Sequence, residues 1–267
     1  MRFTLAALAA LTIPAAAADM PLKAQPAPAP APYSWAGWYA GANLGYGWGD
    51  PSATIVPGSI PPPFPGTLNS ASPPFVMSTH PQGGLIGAQA GYNWQFDRTV
   101  VGLEIDFQYA DVHDMVQRGF SNTFIFVGDP STTAGVATLE SHMNWLATLR
   151  GRFGYSFDRF LPYVTGGAAL ANLRSTITIS GYHKDDGAPG PFAFFNNTAT
   201  VHDTVWGYAI GGGADWAIDP RWSLRGEYLF VGLPGHTYGP LILGLGSLDN
   251  GMGLHLARLA LNFKLWP

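Results

Sequence analysis

No cysteine occurs among the 267 residues, so this chain has neither a disulfide framework nor thiolate–metal chemistry. Charge is scarce as well. Asp, Glu, Lys and Arg make up 11% of the residues, against roughly 25% in an average soluble domain, too few to solvate an ordinary surface. The formal net charge of −4 leaves no basic footprint, which argues against nucleic acid as a partner. After the N-terminus, no stretch reaches the ~18 to 20 unbroken apolar residues of a membrane-spanning helix. The 34 glycines and 23 prolines argue against long helices of any kind.

What is present is apolar and ordered in a particular way. Hydrophobic residues are 47% of the chain and aromatic ones 13%. At the N-terminus, Arg2 precedes an apolar run from Phe3 to Ile13, and Ala16-Ala17-Ala18 forms a small-x-small site before Asp19. This is the pattern of a cleaved export signal over residues 1–18, with a run too short to span a bilayer. Residues 19–35 are expected to form a periplasmic lead. Its "QPAPAPAP" at Gln25 to Pro32 favours stiff polyproline II and is excluded from the folded domain, set at residues 36–267.

From Trp38 onward large and small side chains alternate. Trp38, Ala40, Ala42, Leu44, Tyr46 and Trp48 share one parity, whereas Gly41, Asn43, Gly45 and Gly47 take the other. The same split recurs in Ile86 to Phe96, Val101 to Tyr109, Trp145 to Phe157, Trp206 to Trp216, Trp222 to Phe230 and Ala257 to Leu265. An eighth segment, Leu161 to Ile179, switches apolar parity between Leu170 and Ile177, which predicts a bulge or an early exit from the sheet. A soluble sandwich would turn its second face to water with Lys, Glu and Thr. Here that face is Gly, Asn, Gln and a few charges. Hydrocarbon around a closed barrel is the environment that wants bulky apolar groups outside and small or polar groups inside. The reading is therefore an all-β, eight-stranded antiparallel transmembrane barrel, with outer-membrane lipid as its surroundings.

Aromatic residues crowd the strand ends, at Trp38, Tyr46, Trp48, Tyr92, Trp94, Phe96, Tyr155, Phe157, Trp216 and Trp222. Girdles at the two lipid–water boundaries produce that placement. Asp97, Asp158 and Asp219 recur at a constant interval of 61 residues in "FDRT", "FDRF" and "IDPRW", which reads as one hairpin unit repeated. These short turns are expected to face the periplasm, and the long connections near 50–82, 111–141, 180–203 and 233–253 to face outward.

Inside the barrel the parity places Glu104, Asp106, Arg150, Arg152, Arg225, Glu227 and Arg258 at similar heights, three acids against four arginines. Such a layer is either a salt-bridged plug or the lining of a narrow, slightly anion-preferring pore. No catalytic residue, metal site or cofactor is expected. Ser141 with His142, and His183 with Asp185 and Asp186, contain usable residue types, but no second spacing supports either.

Three stretches carry a family resemblance: "WAGWYAGANLGYGWG", "WLATLRGRFGYSFDRFLPYVTGGAAL" and "WSLRGEYLFVGL". They resemble the small outer-membrane β-barrels of Alphaproteobacteria, the porin-like surface antigens and RopB-type proteins, and more distantly OmpA-type barrels. The resemblance implies a structural and surface-interaction role, with a small passive pore as the alternative and a lipid-modifying enzyme as a third class. It also implies the barrel-assembly machinery as a partner, and host or environmental ligands at the outer loops. Family members end on a phenylalanine read by that machinery; this chain ends "NFKLWP", leaving Trp266 as the candidate terminal aromatic.

Overall fold

The computed structural model describes residues 33–50, 55–57, 77–126, 129–185, 193–234, 237–238, 245–249 and 251–265. The expected signal, the Pro-Ala run and Trp266 lie outside them. Eight strands form the barrel: β1 Gly37–Asp50, β2 Gln82–Phe96, β3 Thr99–Phe126, β4 Asp129–Tyr155, β5 Phe160–Asp185, β6 Ala193–Ala217, β7 Trp222–Leu233 and β8 Met252–Lys264. Each is antiparallel to its sequence neighbour, and β1 pairs with β8 to close the ring, so no sheet edge is left in the membrane-spanning part. Three short segments, Ile55–Pro57, Thr237–Tyr238 and Leu245–Asp249, pair into a separate small sheet.

Alternation fixes the register because one face must meet lipid. Leu44, Ile86, Ile105, Leu149, Val164, Ile210 and Leu259 all point outward and are exposed, while Asn43, Gln89, Glu104, Arg150 and Arg258 point inward and are buried. All ten aromatic residues assigned to girdles lie on the outer face. Trp38, Tyr92, Trp94, Phe96, Tyr155, Phe157, Trp216 and Trp222 stand at the turn end, and Tyr46 and Trp48 at the other. Nine are exposed; Tyr92 is partly covered by edge-on contacts with Trp38 and Trp94 at ring separations of 5.1 and 4.8 Å.

The evenly spaced aspartates mark the tight turns, by two different means. Asp97 and Asp158 adopt left-handed backbone, with φ of 53° and 58°, which aspartate tolerates better than most residues. Asp219, followed by Pro220, instead accepts hydrogen bonds from the Arg221 and Trp222 amides at 2.7 Å each. Those bonds hold its carboxyl below the ordinary aspartate value.

Two expectations need correction. The spans 111–141 and 180–203 are largely strand and not long loops: β3 pairs with β4 from Thr99↔Tyr155 out to Phe126↔Asp129, and β5 with β6 from Phe160↔Trp216 out to His183↔Ala193. Pairing to β2 stops at His113, and pairing of β6 to β7 begins at Tyr208, so β3 to β6 continue as a four-stranded sheet beyond the other strands. Neither the bulge nor the early exit expected in the Leu161 to Ile179 segment is there. β5 keeps unbroken register with β6, and one parity supplies its buried apolar residues throughout: Leu161, Tyr163, Ala169, Ala171, Leu173 and Ile177. The environment changes along β5, not the strand: its inward residues become apolar where the barrel interior becomes apolar. The register shifts lie elsewhere, between Tyr109 and Val112 of β3 and between Met143 and Trp145 of β4, both around Asn144.

Candidate functional site

The interior is filled in three layers. At the turn end, Trp35, Val100, Leu161 and Ala217 form a buried apolar floor with Tyr33 packed against it. Trp35 is the last residue of the stretch expected to be a periplasmic lead outside the folded domain. Its amide donates to Gln95 Oε1 at 2.6 Å and its indole Nε1 to the Asp158 carbonyl at 3.0 Å.

Above the floor lie the charges. Glu104 faces Arg150 directly across β3 and β4, Glu227 faces Arg258 across β7 and β8, and Asp215 faces Arg225 across β6 and β7. Arg150 donates to Glu104 at 2.6 Å, Asp106 at 2.8 Å and Glu227 at 3.0 Å. Arg225 bonds both Glu104 and Asp215, Arg152 donates to Asp215 at 2.6 Å, and Arg258 bonds Glu227 and Asp106. All seven residues expected in the layer are buried and come together. An eighth, Asp215, is not among the expected ones, although its parity between outward Ala214 and Trp216 marks it as inward. With it, four acids meet four arginines, and the excess of positive charge disappears.

Neutral groups complete the network. Tyr39 Oη donates to Glu104 at 2.5 Å and Tyr163 Oη to Glu227 at 2.7 Å. Thr148 donates to Asp106 at 2.6 Å and accepts from Arg150 Nε at 2.9 Å. The Arg152 guanidinium sits 4.0 Å from the Tyr163 ring centre. Buried charge is tolerated only when paired and hydrogen-bonded in this way. Space comes from small residues opposite: a Cβ on Gly91 would lie 2.5 Å from Tyr39 Oη, and one on Gly213 2.9 Å from Tyr163 Oη.

Toward the outer end the third layer is apolar. Leu85, Ala110, Val112, Met143, Leu146, Leu173, Val205, Leu229, Val231, Leu254 and Leu256 belong to one buried cluster. Sequence reasoning overlooks it, although "YLFVGL" at 228–233 is apolar on both parities and Leu254 and Leu256 share the parity of Arg258. A pocket at the turn end, bounded by Tyr39, Arg152 and Arg225, has a volume of ≈ 20 Å³, room for about one water.

Known proteins similar to this chain come from bacterial outer membranes. The 31 kDa outer-membrane immunogenic protein of Brucella melitensis is 31% identical over 236 residues, covering 87% of this chain and 84% of that protein. The 22 kDa outer membrane protein of Rhizobium leguminosarum is 25% identical, covering 90% and 83%. The crystal structure of OprG from Pseudomonas aeruginosa covers 86% of this chain and 97% of its own, at 11% identity and a TM-score of 0.37. Residues 3–246 match the outer membrane protein beta-barrel domain, and the chain belongs to that family of the cell outer membrane.

Proposed function

We infer that this barrel is a non-conducting membrane anchor that presents an extracellular surface, with a structural and interactive role and no catalytic one. The observation that carries the reading is the filled interior: a floor, a balanced charge layer and an apolar layer follow one another along the axis. Ions would have to cross buried hydrocarbon and displace Arg150 from three carboxylates, whereas conducting pores keep a wetted, weakly binding path. The sheet that β3 to β6 extend beyond the other strands offers the contact surface, and the Brucella relative is by name an immunogen. Outer-membrane lipid, the barrel-assembly machinery and host or environmental ligands are the partners this reading implies.

Planar-bilayer recording of the refolded protein tests it. The expected trace has no stable conductance steps; reproducible ohmic steps from folded protein would establish the narrow-pore reading instead. A phospholipid-turnover assay on the same preparation is expected to match protein-free vesicles.

A further inference from the structure

Outside the barrel, on the outer side of Tyr109 and Trp145, two histidines and an aspartate converge. His113 of β3 and His142 of β4 are direct register partners, with ring centres 5.8 Å apart. Asp111 lies in the bulge beside them, and its Oδ1 is 3.2 Å from both His113 Nδ1 and His142 Nε2. The three donor atoms all lie within 4.8 Å of one another. A tetrahedral zinc site with bonds of ~2.0–2.1 Å has ligand–ligand edges of ~3.3 Å, close to both N···O separations.

A hydrogen-bond relay sets the orientation of His142. Asn172 Nδ2 reaches the Asp203 carbonyl at 3.4 Å, which can only accept, so Asn172 Oδ1 faces Asn144 and accepts from its Nδ2 at 2.7 Å. Asn144 Oδ1 then accepts from His142 Nδ1 at 2.8 Å. With its Nδ1 proton committed, a neutral His142 turns the Nε2 lone pair toward the Asp111 carboxylate. Two lone pairs facing each other need a cation or a second proton between them. Metal-binding histidines are oriented by such outer partners, and the bulge that supplies Asp111 and Asn144 is a common means of re-aiming side chains.

We propose that Asp111, His113 and His142 bind a divalent transition-metal ion of the zinc type at the outer surface. Two imidazoles and one carboxylate favour such an ion over magnesium or calcium, which prefer all-oxygen shells. Asp111 and His113 are more than 60% exposed, which leaves the remaining coordination position open to solvent. The ion would tie β3 to β4 across their bulge, at the base of the projecting sheet.

Calorimetric titration of zinc into the full chain, untagged, chelator-stripped and folded in detergent, tests this. One saturable equivalent is expected. His113→Asn and His142→Asn are each expected to weaken it by roughly 100-fold, and Asn144→Leu, with all three ligands intact, by ~10- to 100-fold. Unboiled electrophoretic mobility checks that each variant is folded; should His142→Asn fail to fold, the exposed His113→Asn carries the comparison. The absence of one saturable equivalent, an unchanged isotherm in the folded His113→Asn variant, or displacement of zinc by equimolar magnesium would each overturn the proposal.

Discussion

Arg150 is the residue on which most of the interior depends, since it bonds Glu104, Asp106 and Glu227 while fully buried. Removing one partner of a buried pair leaves uncompensated charge, at a cost of ~3–5 kcal/mol. Arg150→Ala is therefore expected to lower unfolding stability by about that amount in denaturant titrations of the detergent-folded protein. Adding Asp106→Asn should recover part of the loss: it restores equal numbers of acids and arginines and leaves Arg225 with Glu104 and Asp215, and Arg258 with Glu227. If the double variant is no more stable than Arg150→Ala, charge balance does not govern this layer. At this scale the seven inward charges are legible because parity alone decides which face a strand residue takes. Asp215 obeys the same rule but sits behind three glycines, a context that reads as making space and not as placing charge. The pairing itself is not legible, since it depends on how eight strands are staggered around the ring.

The tight turn at Asp219 carries a pH dependence that the sequence interval alone does not reveal. Asp97 and Asp158 solve the turn with left-handed backbone, and Asp219 with two side-chain acceptor bonds. Because the folded-state pKa of Asp219 is depressed, its contribution is present above the ordinary aspartate value of 3.8 and is lost as pH falls through the lower folded value. Asp219→Ala is thus expected to unfold at lower denaturant than the parent at pH 7, with the gap narrowing as pH falls below that range. A gap independent of pH would assign the effect to turn geometry instead. Among the strands, seven are legible from clean alternation. β5 misleads because a change of apolar parity has two causes, an inserted residue or a change in what fills the interior, and a single strand cannot distinguish them. The comparison that does is across strands: Leu229 and Val231 of β7 and Leu254 and Leu256 of β8 turn apolar on the inward face at the same level, with no shift of register.

For the molecule as a whole, the boundary between lipid and water matters most, because β3 continues across it as one strand, bulged between Tyr109 and Val112. Ile105 and Met115 lie on the same strand, point outward and are similarly exposed, at 59% and 55%. Their surroundings differ. Ile105 lies within the apolar band between Val101 and Tyr109, whereas Met115 lies beyond Tyr109 and Trp145 and pairs across the sheet with Glu140. An arginine on the lipid face costs ~2–4 kcal/mol at the bilayer midplane and ~0–1 kcal/mol near its interfaces. Ile105→Arg is therefore expected to lose stability in that larger range when unfolding is followed in liposomes. Met115→Arg, set in water opposite an acid, is expected to change it by less than ~1 kcal/mol. Equal penalties at the two positions would mean that the projecting sheet is immersed in the membrane, and the extracellular surface assigned to it would have to be sought in the segments between the strands.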